Sequence, residues 1–290
     1  MIYLTQADID QLVLEDMPLH DETSRAIGLP DAPGTLTYVA RQAGVAAGVR
    51  PCVQMARSLG LEAEVLVADG AAVAAGQPVL RLQGRAHALH VAWKQGMNLL
   101  EYLGGIASTT AAMLRSAREA SPAVQIAATR KAFPGSRRLQ QYAVLCGGGV
   151  VHRAGLSESI LLFAQHRVFL AGVPLAELVR RARRASPEKF VLVEADSADD
   201  ALAAARAGAD GVQLDKMAPP ALADLVPRLR AARAGLTINA AGGIRVDNVA
   251  AYAATGADIL VTSHLYTAPA ADYGVRMEQS GHDQASPVPR

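Results

Sequence analysis

The stretch FVLVEADSADDALAAARAGADGVQLDKMAPPALADLVPRLRAARAGLTINAAGGI, residues 190–244, carries the fold. Its apolar runs FVLVEA (190–195), GVQLD (211–215) and LTINAAGGI (236–244) are short and almost unbroken, the pattern of strands buried on both faces. Between them, residues 198–207, closed by Gly208, and residues 220–234 have helix-forming composition. Strands and helices alternating at this spacing predict βα units around a parallel sheet. The strands end in Glu194, in Asp215 and in a run that holds Asn239 and the pair Gly242-Gly243. Polar residues at successive strand C-termini are where a β/α barrel gathers its chemistry.

Moving outward, residues 246–255 predict a helix closed by Gly256, and DILVTS (258–263) a further strand. On the other side lie a helix over 175–185, an ambiguous strand-then-loop over 157–170, and the strand VQIAAT (124–129), which runs into Thr129-Arg130-Lys131. Residues 88–120 contain no proline and predict helix, with Gly104-Gly105 as a place for close helix approach. Residues 35–48 and 62–82 read as short strands broken by glycine turns, and 4–17 as one or two helical turns. The Gly/Pro/Ser-rich end, 281–290, reads as a disordered tail.

Composition narrows the function classes. The chain has 290 residues, 51% hydrophobic but only 4% aromatic, so Ala, Val, Leu and Gly do most of the packing. A net charge of +1 gives no bulk attraction to nucleic acid or to an anionic membrane. No run of about 18 apolar residues occurs and the first residues are acidic rather than signal-like, so the expected location is the cytoplasm. Cys52 and Cys146 lie far apart, outside any metal or redox spacing, and read as reduced thiols.

Any anion site must therefore be a local concentration of cations. TRKAFPGSRRLQQYAVLCGGGVVHRAGLSES (129–159) supplies one: Arg130, Lys131, Arg137, Arg138, His152 and Arg153 around a Gly-Gly-Gly turn. Arginine suits carboxylate or phosphate through its planar fork and lysine acts as a point charge, so the ligand carries several negative charges. Arg137 and Arg138 read equally well as a solvated helix face. Glu194 and Asp215 sit one βα unit apart. They can hold Mg²⁺, accept ribose hydroxyls, support a developing sugar cation, or simply form salt bridges. The turn at Gly242-Gly243 offers backbone N–H groups and a helix start to a phosphate. The run Arg180, Arg181, Arg183, Arg184 reads as a solvated face, and DGAAVAAGQPVL (69–80) as a structural hairpin.

Taken together, EDMPLHDETS (15–24), DGAAVAAGQPVLRLQG (69–84), MNLLEYLGGIAS (97–108), the 129–159 segment, VEADS (193–197), GVQLDKM (211–217) and NAAGGI (239–244) resemble the quinolinate phosphoribosyltransferase (nicotinate-nucleotide pyrophosphorylase) family, most closely its ModD branch, encoded with molybdate transport systems. The resemblance covers roughly residues 3–275. It implies an α/β fold: an N-terminal α/β domain over 1–108, completed by 266–280, beside a partly open β/α barrel over 109–265. It implies a homodimer whose active sites are completed across the interface, with small-molecule substrates and no nucleic acid or membrane partner. The implied reaction is displacement of pyrophosphate from Mg²⁺-bound phosphoribosyl pyrophosphate (PRPP) by a pyridine nitrogen. Arg130, His152, Arg153 and Arg138 would hold the acid substrate, together with Lys94 from the partner subunit. Lys131, Glu194 and Asp215 would be catalytic, the two acids also binding Mg²⁺. Gly242, Gly243, Thr262 and Ser263 would bind phosphate.

The chain also departs from the family pattern. Lys94 stands where the family has Arg, Phe163 where it has Lys, Asn239 where it has an acid and Ala241 where it has a hydroxyl. The late segment reads VTSHLYT, so His264 and its neighbours do not match the family's histidine plainly. The sugar-phosphate half is better kept than the quinolinate half, which points to an acceptor other than quinolinate or less acidic than it. Two alternatives stand beside this reading: an ordinary quinolinate enzyme of NAD synthesis, and a non-catalytic accessory protein that binds an oxyanion such as molybdate.

Overall fold

The computed structural model describes residues 2–280; the expected disordered tail, 281–290, lies outside them. The described residues divide into two compact units, one of 2–108, 136–147 and 268–280, the other of 109–135 and 148–267. In chain order the elements are α1 (Gln6–Asp16), α2 (Glu22–Ala26), β1 (Pro33–Ala40), β2 (Gly44–Val45), α3 (Val49–Ser58), β3 (Glu62–Val65), β4 (Ala72–Val73), β5 (Pro78–Arg85) and α4 (Ala86–Ala120). They continue as β6 (Gln125–Ala128), α5 (Arg137–Cys146), β7 (Val150–Val151), β8 (Ile160–Leu162), α6 (Ala164–Val168), α7 (Leu175–Ala185), β9 (Val191–Ala195), α8 (Ala198–Arg206) and β10 (Gly211–Asp215). The last are α9 (Pro219–Ala232), β11 (Thr237–Ala241), α10 (Val249–Ala253), β12 (Ile259–Thr262) and β13 (Tyr273–Gln279).

The first unit is built on an antiparallel sheet in the order β13-β1-β5-β3, with β2 and β4 as a separate ribbon. Thr5 and Asp8 form a capping box on α1, which satisfies donors the helix start leaves open. Residues 69–80 do not form the expected hairpin, because β4 pairs with β2 while β5 pairs with β1 and β3; the segment is structural all the same, since the Asp69 carboxylate accepts from the N–H groups of Val49 and Arg50 (2.9 and 2.8 Å) and from the Tyr142 hydroxyl (2.5 Å). It thereby caps α3, whose own N-cap is Gly48. That bond to Tyr142 helps explain why α5 groups with the N-terminal residues, although it lies inside the expected barrel range. The Gly104-Gly105 pair serves the C-terminal segment, not another helix. A Cβ on Gly105 would stand 2.2 Å from the Pro269 carbonyl oxygen, and the Ala271 N–H donates to Glu101 O at 2.8 Å.

The second unit is a seven-stranded parallel sheet in the order β7-β6-β12-β11-β10-β9-β8. Its terminal strands β7 and β8 do not pair with each other, so this is a partly open barrel, as expected. Val191, Leu192, Val193, Ile238, Leu260 and Val261 are all at most 3% exposed, and burial of each such side chain contributes about 1.5–3 kcal/mol. The helix expected over 246–255 is shorter. Asn248 accepts from Arg245 N and donates to Gly243 O, holding a turn over 243–248 before α10 starts. The ambiguous segment 157–170 resolves into β8 followed by α6.

One motif recurs at the N-terminal end of the strands. Gly-Ala-Asp occurs at 208–210 and again at 256–258. Both glycines have positive φ (89° and 84°) and end a helix, both alanines are buried, and each aspartate ties a neighbouring strand to a helix. Asp210 accepts from Val191 N at 2.9 Å and pairs with Arg183. Asp258 accepts from Ile238 N at 2.7 Å and from Arg230 at 2.6 Å. The arginine run on α7 is likewise held by acids: Arg180, Arg181 and Arg184 all pair with Glu177.

Candidate active site

At the opposite end of the same strands the second unit opens into a cavity of about 840 Å³. Strand parity decides which side chains enter it. Gln213 is in register with Glu194 on one side and Asn239 on the other, and Asp215 with Ala241. Glu194, Gln213, Asp215 and Ala241 all line the cavity, so this face of the sheet points inward.

The cations arrive from two chain turns. Thr129, Arg130 and Lys131 follow β6, and His152 and Arg153 follow β7; all five line the cavity. Their backbone is pinned: His152 N donates to Ala128 O (3.1 Å) and Thr129 N to Thr262 O (3.1 Å). The Tyr266 hydroxyl donates to Thr129 O at 3.0 Å. Arg153 is only 5% exposed. Burial and the neighbouring charge of Arg130 both push its pKa down. The buried Nε atoms of Arg130 and Arg153 have no hydrogen-bond partner. Buried donors of this kind are rare in a finished structure, and here they border a cavity.

His152 is held neutral. Burial first, then the Arg153 charge, take its pKa down to about 4, against a small opposing pull from Glu158. Its Nε2 lies 3.5 Å from the Asn239 amide nitrogen. Glu194 shifts the other way. Burial raises its pKa despite a 2.7 Å hydrogen bond from Gln213, and the Asp215 charge adds to the rise, while Lys131 and Lys216 oppose it. Two close carboxylates in a partly desolvated site favour a bound cation between or beside them. No group of three or more His, Cys, Asp or Glu among the described residues could hold a metal by itself. A magnesium ion here would thus depend on oxygens brought by a substrate as well as on these two acids, the usual mode for Mg²⁺ with phosphates.

Gly242 and Gly243 also line the cavity, with φ of 89° and 74°. A Cβ on Gly242 would meet Lys216 N at 2.8 Å and Asp215 Oδ1 at 2.9 Å. The helix that was to start there does not, because α10 begins only at Val249; any anion at this turn meets loop backbone instead of a helix end. Ser263 lines the cavity, and so does Thr262, but the Thr262 hydroxyl is committed: it donates to Ile244 O (2.7 Å) and accepts from His264 N (3.0 Å). Arg138 is not brought here. Its guanidinium pairs with Asp8 at 2.9 Å, in the first unit, because the α1 capping box presents that carboxylate to it. Lys94 is exposed on α4, also in the first unit.

Among the lining residues that escape the sequence reading are Gln213, Lys216 and Arg245. Gln213 sits inside an apolar run and looks like part of a strand core. Lys216 takes a positive φ of 55°, uncommon for a side-chain-bearing residue, directly after Asp215, which it approaches at 3.6 Å. Its place directly after a strand-end acid was the available signal.

The quinolinate phosphoribosyl transferase N-terminal domain matches residues 21–104 and the C-terminal domain of the same family matches 106–276. The chain belongs to the quinolinate phosphoribosyl transferase family. It is 39% identical over 279 residues to "Putative pyrophosphorylase ModD" of Escherichia coli O6:H1, covering 96% of this chain and 98% of that protein. It is 30% identical over 284 residues to the human nicotinate-nucleotide pyrophosphorylase [carboxylating], covering 97% and 93%. Among solved structures, NadC from Streptococcus pyogenes superposes with a TM-score of 0.84 at 26% identity, covering 96% of this chain and 99% of that one. Phe163 lines the cavity. Its ring stacks on His166, with centroids 5.7 Å apart. Among the described residues no helix is long and apolar enough to cross a membrane.

Proposed function

We propose that the protein transfers phosphoribose from PRPP to a nitrogen heterocycle bearing a carboxylate, releasing pyrophosphate. The observation that carries this reading is that one cavity is lined both by the cations Arg130, Lys131 and Arg153 and by the acids Glu194 and Asp215. The cations suit the pyrophosphate and the acceptor carboxylate, and the acids suit the sugar. As the acceptor nitrogen bonds to the ribose anomeric carbon, the bond from that carbon to pyrophosphate oxygen breaks and its electrons leave with the pyrophosphate. Positive charge gathers on the sugar ring in between, and Glu194 and Asp215 stabilise it electrostatically. Lys131 neutralises the departing anion. Gly242 and Gly243 leave room for the sugar 5′-phosphate. Glu194 and Asp215 would hold Mg²⁺, which supplies charge neutralisation on the pyrophosphate. Lys94 of the partner subunit would complete the acceptor pocket in a homodimer, as a point charge where a bidentate arginine would grip harder.

In a carboxylating enzyme, loss of the acceptor's 2-carboxylate as carbon dioxide follows transfer. The acceptor here is less acidic than quinolinate, because Phe163 adds no charge to the wall of this cavity. Incubation with PRPP, Mg²⁺ and a panel of heterocyclic carboxylates, read as pyrophosphate release, tests the proposal. Turnover with a monocarboxylate and slow turnover with quinolinate are expected. No release with any acceptor would refute the transfer reading, and fast turnover of quinolinate would refute the altered acceptor.

A further inference from the structure

Between the cationic rim and the floor of the half-barrel lies a layer of neutral polar side chains. Gln213 on β10 and Asn239 on β11 are register partners, so their side chains lie side by side on the inward face. They are 6% and 3% exposed. Each amide has one half engaged and one half empty. Gln213 Nε2 donates to Glu194 Oε2 at 2.7 Å, and that carboxylate fixes which way the amide faces. Asn239 Nδ2 faces His152 Nε2 at 3.5 Å. The oxygens, Gln213 Oε1 and Asn239 Oδ1, are buried without any hydrogen-bond partner. A second cavity of about 490 Å³ has both Asn239 and His152 in its wall, and His152 also lines the larger one. The layer therefore faces space from above and below.

Leaving a carbonyl oxygen buried and unpaired costs roughly 1–3 kcal/mol, and two adjacent ones suit a ligand that brings hydrogen. We propose that Gln213 and Asn239 select an acceptor presenting hydrogen-bond donors, such as an amide, an amino group or a ring N–H, at the place where a dicarboxylate would present its second carboxylate. This rests on the reading of the cavity as an acceptor site. A carboxylate at that place would meet two acceptor oxygens and an uncharged imidazole, with the Arg153 charge behind the imidazole as its nearest cation. A donor group would meet two acceptors, the Gln213 oxygen held in place through Glu194, and sites built to pair a donor reject analogues lacking it strongly. Gln213 and Asn239 are thus specificity-determining residues, and the substrate class is an amino- or amide-bearing heteroaromatic monocarboxylate.

The test uses a matched pair of probes: quinolinate and its 2-carboxamide, which differ only in that carboxylate. Titration calorimetry on the full chain, with and without pyrophosphate and Mg²⁺, should give a dissociation constant at least about tenfold lower for the carboxamide, a difference of about 1.4 kcal/mol. Gln213→Met and Asn239→Leu, each of similar volume, should each narrow that ratio; Asn239→Leu should melt at or above wild type because an unpaired buried oxygen has been removed, whereas Gln213→Met also strips Glu194 of its hydrogen bond and should melt somewhat lower. Should one of them fail to fold, the other still reads the ratio. Quinolinate binding as tightly as the carboxamide, neither probe binding, or a ratio unchanged in a folded variant would each overturn the inference. Pyrophosphate release from PRPP, measured in parallel, separates the two claims. Selective binding without release sinks the transfer reading alone, and release without selectivity sinks the donor layer alone.

Discussion

The two ends of the half-barrel treat carboxylates in opposite ways. At the N-terminal end, Asp210 and Asp258 are saturated: each accepts from the backbone of a neighbouring strand and pairs with an arginine from a helix. At the C-terminal end, Glu194 has one side-chain donor, and the cations beside it keep buried donors with no partner. The difference in pairing marks one end as structure and the other as a site. Polar groups that complete each other's hydrogen bonds stabilise the chain; polar groups left incomplete around a cavity await something else.

Exchanging an effect between the ends would break this comparison, and the largest effect should come from Arg153→Ala. Loss of a buried cation that pairs with a ligand charge costs about 2–5 kcal/mol, so kcat/KM should fall at least about thirtyfold. The melting temperature should hold or rise, since Arg153 is buried beside Arg130 and its charge is unfavourable there. A large drop in melting temperature with activity intact would make Arg153 a structural residue. Asp258→Ala is the mirror case. It strips Ile238 N of its partner and leaves Arg230 half-paired, so unfolding should become easier by about 2–3 kcal/mol. Denaturant titration reads that loss, and kcat/KM of the folded fraction should stay within twofold or so of wild type. An Asp258 variant that folds normally but has lost substrate affinity would erase the distinction.

The same contrast explains what could be read from the sequence. The βα alternation over 190–263 was legible because strands buried on both faces must be continuously apolar, and glycine-closed helices punctuate them. The rim was legible because Arg130, Lys131, His152 and Arg153 crowd a short segment bounded by an apolar strand and glycines. Arg138 belongs to the same crowded segment and still left the site, because its partner Asp8 is 130 residues away in the sequence; composition cannot distinguish a cation facing a ligand from one facing a distant carboxylate. Gln213 was invisible for a different reason. One polar residue in an apolar strand reads as noise until register places it beside Glu194 and Asn239. The Gly-Ala-Asp repeat at 208–210 and 256–258 was on view, but its meaning depends on which backbone N–H each aspartate meets.

Phe163→Lys sharpens the comparison within the site. It puts a cation on the wall of the cavity, so the quinolinate dissociation constant should fall about tenfold, as calorimetry would register. No change would mean that the neutral wall is compensated by charge from elsewhere in the cavity, and the altered-acceptor reading would weaken accordingly.

The smallest effect concerns the proton on His152. Its pKa is lowered from 6.5 to about 4 in the folded protein, through burial and then the Arg153 charge, with Glu158 pulling the other way and the Asn239 amide adjacent. As pH falls below about 6.5, the unfolded chain takes up a proton at this histidine while the folded chain resists until about 4. The unfolded state then binds more protons, so folding stability from this group is intact above that window and falls through it. His152→Gln removes the term. Its melting temperature should therefore drop less than that of wild type between pH 7 and pH 5, a range chosen with the lowered histidine in view. Wild-type and variant curves that run parallel over this interval would show a histidine that takes up its proton in the fold as readily as in the unfolded chain, and the layer formed by Gln213, Asn239 and His152 would then accommodate a carboxylate after all.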